Sequence, residues 1–145
     1  MMRLRISRLA DAARIPSYET AGAAGFDLSA SAETTIPPGA VALVPTGLVI
    51  EVPRGHFLGI FARSSTPLKR GLMVANGVGV VDSDYCGPND EIKIQVLNFT
   101  ASPVTVNAGD RIAQGVILPH VRVEFQEEST AAAASSRGGF GSTGQ

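Results

Sequence analysis

The residues best suited to chemistry lie in the run Asn76-Gly77-Val78-Gly79-Val80-Val81-Asp82-Ser83-Asp84-Tyr85-Cys86-Gly87. Its glycines let a backbone approach a flat ligand closely, and two acids and a phenol follow them. A carboxylate can accept a proton while it orients an attacking water, which makes Asp82 a candidate base. If the segment is extended, Asp82 and Asp84 share a face. The plainer alternative is a hairpin whose acids sit in its turn.

Other places offer contacts to an anion. Arg63-Ser64-Ser65 sets a guanidinium and two hydroxyls at the start of a short helical signal, where free N–H groups and the helix dipole favour phosphate. The same residues also describe a capped surface helix with Ser65 or Thr66 as the cap. Near the C-terminus, Arg137-Gly138-Gly139-Phe140-Gly141-Ser142-Thr143-Gly144 combines a cation, hydroxyls and glycine-freed amides able to wrap a phosphate chain. No Gly-Lys-Ser/Thr occurs, so this is not a Walker A loop. A Gly/Ser-rich end is otherwise a disordered tail. The lone Phe140 argues for base stacking, worth roughly 1–3 kcal/mol per base. Asp27, in Gly22-Ala23-Ala24-Gly25-Phe26-Asp27-Leu28, suits either a metal-bound water or an ordinary hydrogen bond on a strand. Gly109-Asp110-Arg111-Ile112-Ala113-Gln114 reads as a turn into a strand. His56 and His120 lack ligand spacing, which argues against a histidine metal site.

The elements that must position these groups are short and extended. Alternating or β-branched segments run from Leu4 to Leu9, Gly25 to Ala30, Ala40 to Val44, Gly47 to Val52, Phe57 to Ala62, Val74 to Val81, Glu91 to Phe99, Val104 to Val106 and Arg111 to Val121. Sixteen glycines and nine prolines punctuate the chain, an all-β pattern of a barrel or jelly-roll-like sandwich. One short helix interrupts it, with Thr66 as cap, Pro67 at the first helical position and Gly71 as a left-handed stop. Past Phe125 large apolar residues give way to Glu, Ser, Ala and Gly. The expected organisation is therefore a β domain over 1–126 and a flexible arm over 127–145.

Composition narrows the function. The 145 residues suffice for one domain with a core. A formal net charge of -1 argues against a broad nucleic-acid surface, while leaving room for a small anion held by a few arginines. Cys86 is the sole cysteine, so no internal disulfide forms and cytoplasm is the expected compartment. The run Leu72 to Val81 is broken by polar residues and glycine and is too short to span a membrane.

Taken in order, five segments resemble the five motifs of the trimeric dUTPase family: AGAAGFDL, ARSSTPLKRG, NGVGVVDSDYCG, GDRIAQ and RGGFGSTG. The resemblance covers nearly the whole chain. It implies a dUTPase-type jelly-roll-like sandwich or distorted barrel, assembled as a homotrimer whose active sites are shared between subunits. It implies that dUTP is hydrolysed to dUMP and pyrophosphate, with Asp82 holding the water that attacks the α-phosphorus. Uracil would meet the hairpin around Asn76 to Val81, through Asn76, Gly79 and Val81, and Tyr85 would lie against the sugar. Arg63, Ser64, Ser65, Gln114, Arg137, Gly141, Ser142 and Thr143 would serve the substrate with Mg²⁺. Asp27 would reach that metal through water, and Phe140 would cap the base. The chain departs from the family pattern at Ala62, Thr66-Pro67, Cys86 and an insertion at Pro88-Asn89-Asp90. Within the same fold, a dCTP deaminase would need an acid where Gln95 stands. A non-catalytic nucleotide-binding module would have lost the water-holding acid or the arm, and both are present.

Overall fold

Period-two alternation of apolar side chains makes antiparallel strands of most of the chain's core segments. The computed structural model describes residues 1–142 and 144. The strands are β1 (Arg5–Arg8), β2 (Phe26–Ser29), β3 (Thr34–Ile36), β4 (Val41–Pro45), β5 (Leu48–Glu51), β6 (His56–Ala62), β7 (Leu72–Val74), β8 (Gly79–Val81), β9 (Lys93–Asn98), β10 (Val104–Val106) and β11 (Arg111–Pro119). A four-stranded sheet has the order β2-β11-β6-β8 and a three-stranded sheet the order β4-β9-β7. Two ribbons, β1-β5 and β3-β10, complete the sandwich. The core holds Leu28, Val44, Leu48, Ile50, Leu58, Leu72, Ile94, Val96 and Ile112, all fully shielded from solvent. Along β9 the pattern is strict: Lys93 faces water while Ile94, Val96 and Asn98 are buried. The expected jelly-roll-like sandwich is the fold.

Four local outcomes differ from the sequence reading. β3 went unforeseen because it is three residues long between Glu33 and Pro37; it takes shape by pairing with β10, where the Thr35 and Thr105 hydroxyls meet at 2.9 Å. The segment from Val74 to Val81 is not a hairpin. β7 pairs with β9 and β8 pairs with β6, so the chain arches from one sheet to the other. The arch turns at Gly77, whose φ of 73° lies in the left-handed region and whose N–H donates to the Val74 carbonyl. Periodicity reports which face a residue takes, not which sheet its strand joins. The last strand stops at Pro119, two residues short of the expected Val121.

The fourth difference concerns helix α1 (Ser65–Arg70), which Gly71 ends at φ 66° as expected. Thr66 is not its cap, and Pro67 is its third residue rather than its first, because the helix already begins at Ser65. Ser64 holds the cap position without a side-chain hydrogen bond, and Thr66 is buried. The reason lies in β11, whose register against β2 slips between Arg111 and Ala113, while pairing with β6 begins only at Ala113. This bulge leaves the Ile112 carbonyl without a ladder partner. The Thr66 hydroxyl donates to that carbonyl at 3.1 Å and accepts the Arg63 N–H at 3.1 Å.

Candidate active site

Adjacent strands gather one group of candidate residues. Gln114 on β11 stands opposite Asp27 on β2 and Phe61 on β6, and Arg63 follows one residue after β6 ends. The Gln114 amide donates to the Ala62 carbonyl at 3.0 Å. Gly25 makes room for it, because a Cβ there would lie 2.6 Å from the Gln114 side-chain oxygen. The Asp27 carboxylate forms an ion pair with Arg63, Oδ1 to Nε at 2.8 Å, and accepts a hydrogen bond from Arg111 Nη1 at 3.0 Å. Arg63 Nη1 reaches Ser65 Oγ at 3.4 Å, and Ser64 is exposed beside them. Asp27, Arg63, Ser64, Ser65 and Gln114 thus form one polar cluster able to receive an anion.

An ion pair braces this cluster from below. Arg70, in the last turn of α1, meets Asp110 at 3.0 Å, and the Asn107 N–H donates to the same carboxylate at 2.9 Å. Burial pushes the Asp110 carboxyl up, but the Asn107 amide and the Arg70 guanidinium together outweigh it and hold it below its ordinary value.

A second group forms elsewhere. β8 is the edge strand of its sheet, so alternate N–H and C=O groups of its outer side have no strand partner. Gly79 lies against β6, where a Cβ would come within 3.0 Å of Ile60 Cβ. Past Val81 the chain turns, the Tyr85 N–H donating to the Asp82 carbonyl at 3.2 Å. The Tyr85 hydroxyl donates to the Glu91 carbonyl at 3.1 Å, which fixes the half-exposed ring. A cleft of about 460 Å³ opens here, lined by Leu43, Ile60, Val81, Asp82, Tyr85 and Glu91 among others. Asp82 is exposed and also borders a second cleft with Asp84, Arg54, His120 and Arg122. The segment Pro88-Asn89-Asp90 closes as a tight turn, with Asp90 Oδ2 accepting the Gly87 N–H at 2.7 Å. Asn76 is exposed on the arch between β7 and β8.

One chain does not bring these groups together. Val81 pairs with Leu58, which puts Asp82 level with Phe57, while Arg63 stands six residues farther along β6. At the rise of a strand that separation is roughly 20 Å, more than the two side chains can close. Among the described residues the arm makes no hydrogen bond or ion pair with either group: the last backbone bond to the body is His120 N–H to the Gly55 carbonyl, and residues 121–142 are exposed. Within it, Ser142 N–H closes a turn on the Gly139 carbonyl at 3.0 Å, with Phe140 at φ 51° and Gly141 at φ 83°. Arg137, Phe140, Gly141 and Ser142 therefore sit on or beside one exposed turn, and Thr143 lies outside the described residues.

Two residues escaped the sequence reading. Glu91 anchors Tyr85 through a main-chain carbonyl, which no side-chain pattern reveals. Arg111 was read as part of a plain turn, although an arginine beginning a strand directly after Asp110 was a visible cue.

The model of the dUTPase family matches residues 11–144. The deoxyuridine 5'-triphosphate nucleotidohydrolase of Wolinella succinogenes is 46% identical over 145 residues, spanning 99% of this chain and 95% of the relative. That of Helicobacter pylori is 41% identical over 144 residues, spanning 99% and 97%. Among solved structures, the dUTPase from Streptococcus mutans matches with a TM-score of 0.76 at 38% identity, over 84% of this chain and 98% of that one. The Staphylococcus bacteriophage 80alpha dUTPase with dUPNHPP matches with a TM-score of 0.87 at 23% identity, over 100% of both chains, a likeness of fold alone.

Proposed function

The chain belongs to the dUTPase family and is a dUTP diphosphatase, and from that premise we propose how its separated residue groups divide the reaction. Asp82 holds and polarises a water that attacks the α-phosphorus in line, and the leaving group is pyrophosphate. The free edge of β8 reads uracil through the backbone of Gly79 and Val81, with Asn76 adding a side-chain contact. Tyr85 lies flat against deoxyribose and rejects a 2′-hydroxyl by contact. Its bond to the Glu91 carbonyl supports that role, because steric rejection needs a ring that cannot yield.

Arg63, Ser64, Ser65 and Gln114 meet the phosphates as preorganised donors, and the arm adds Arg137, the Gly141 backbone, Ser142 and Thr143 while Phe140 covers the base. No group of three or more acidic, histidine or cysteine side chains able to cage a metal occurs among the described residues. Asp27, the acid of the phosphate cluster, would hold Mg²⁺ through water. Bound there, it supplies neutralisation of the charge that develops on the leaving group. The dUMP released supplies dTMP synthesis in the cytoplasm, and the fall in dUTP limits uracil incorporation into DNA.

The observation that carries this reading is the register of β8 on β6, which sets Asp82 level with Phe57 and so, at the rise of a strand, roughly 20 Å from Arg63. Both must act within a few ångströms of one phosphate chain, so each site takes Asp82 from one subunit and Arg63 from another, in a homotrimer. The apolar residues Val121, Val123 and Phe125, 88%, 65% and 92% exposed in one chain, support a neighbour that covers them.

Mixing subunits tests this arrangement. Asp82→Asn and Arg63→Ala each abolish most turnover alone, and trimers assembled from both variants recover activity, because some sites then draw both intact residues. No recovery after verified subunit exchange would mean that the site lies within one chain. Pyrophosphate release measured in parallel with dUTP, dCTP, dTTP and UTP should show turnover of dUTP only. Equal hydrolysis of UTP would remove the role given to Tyr85.

A further inference from the structure

We propose that Arg111 is a positioning residue for the phosphate cluster: it holds Asp27, and Asp27 holds the Arg63 guanidinium in the orientation that meets phosphate. The inference rests on the phosphate role given to Arg63 above. The Asp27 side chain is only 14% exposed and sits between two cations, Oδ1 on Arg63 Nε at 2.8 Å and Oδ2 on Arg111 Nη1 at 3.0 Å. A carboxylate so shielded from water is held in place by the two cations that flank it.

Arg63 is gripped on two of its three nitrogens. Nε meets Asp27, and Nη1 donates to Ser65 Oγ and to the Arg111 carbonyl at 3.4 Å each. Nη2 donates no hydrogen bond among the described residues, so it is the part of the fork left to donate to a ligand. Two of these grips depend on Arg111, one through its side chain on Asp27 and one through its own carbonyl. Arg111 is itself anchored, because the nitrogen that meets Asp27 also meets Glu19 at 3.0 Å. The chain Glu19, Arg111, Asp27, Arg63 and Ser65 therefore ties the loop before β2, the start of β11 and the start of α1 into one network. Truncating the Arg111 side chain leaves Asp27 with a single cationic partner and frees the carboxylate to rotate, so the Arg63 Nε loses its fixed counter-ion while Nη1 keeps its bonds to Ser65 and the Arg111 carbonyl.

Direct contact between Arg111 and substrate would also weaken binding, and a double-mutant cycle separates the two cases. The measurement is calorimetric affinity for α,β-imido-dUTP with Mg²⁺, and for dUMP, on wild type, Arg111→Ala, Arg63→Ala and the double variant. Arg111→Ala should weaken the triphosphate analogue about tenfold, leave dUMP within about twofold, and cost nothing further once Arg63 is alanine. Losses that simply add would overturn the proposal, because Arg111 would then act by a route that does not pass through Arg63. An equal loss of dUMP affinity would overturn it in favour of general structural damage. If Arg63→Ala alone leaves the analogue's affinity unchanged, the phosphate role of Arg63 falls, and the relay falls with it. The single variant thus tells that failure apart from the others.

Discussion

Thr66→Val keeps the shape of a fully buried side chain and removes only its hydroxyl. The Ile112 carbonyl, left without a ladder partner by the bulge in β11, then loses its bond to Thr66, and the Arg63 N–H loses its acceptor. A buried polar group stripped of its partner costs about 1–3 kcal/mol. Ile112 is wholly buried, so its carbonyl bears the larger share, while the part-buried Arg63 amide recovers some of its loss from water. We expect about 2 kcal/mol in total. In urea, with a slope of about 2 kcal/mol per molar for a domain of this size, the midpoint falls by about 1 M. The comparison must be made at one protein concentration, because assembly adds its own stability. Thr66→Ser restores both hydrogen bonds and should recover most of the loss. A midpoint for Thr66→Val within about 0.2 M of wild type, or a serine variant as weak as the valine one, would refute the reasoning.

Acid should act through Asp110, whose folded carboxyl lies below its ordinary value. Its contribution is present above the unfolded value near 3.9 and is lost as pH falls through the lower folded value. Asp110→Asn should flatten the decline of thermal midpoint below about pH 4; an unchanged slope would exclude this carboxyl as the source. Gly115→Ala should destabilise by about 1–3 kcal/mol, since its Cβ would lie 2.5 Å from Phe26 Cε2 and 2.9 Å from Leu58 Cδ1. Phe26→Leu in the same chain should return part of that loss, read from urea midpoints; no recovery would place the strain elsewhere. Finally, α,β-imido-dUTP should slow protease cleavage within residues 137 to 144, and unaltered cleavage would deny the arm a part in binding.

Much of the candidate site could be read from the sequence because its groups announce themselves by type. An acid after a glycine-rich strand, arginine with paired serines, and a phenylalanine alone among glycines all carry chemistry in their side chains. What stayed hidden depends on distance along the chain. Asp27 and Arg111 are 84 residues apart, and nothing near either one indicates that they touch. Thr66 looked like a cap because caps are local, whereas its real partner, the Ile112 carbonyl, lies 46 residues away on another element. The arch at Gly77 looked like a hairpin because both need the same turn residues. The core was easier, since Ile94, Val96 and Asn98 alternate with more exposed neighbours and face inward as period two requires.

In the proposed function the exposed residues 121–136, between the last backbone bond to the body among the described residues, at His120, and Arg137, serve as a tether. Treated as a coil, sixteen residues have a root-mean-square span of roughly 22 Å, comparable to the distance between Asp82 and Arg63. Reach alone therefore does not decide which of several sites the glycine-rich end visits. The local concentration of that end is set by tether statistics, which fall only as about the −3/2 power of length. Doubling the stretch through its Ala131 to Ala134 run would lower that concentration to roughly one third. The spacer is thus open to drift in length and composition, while the turn it delivers is not.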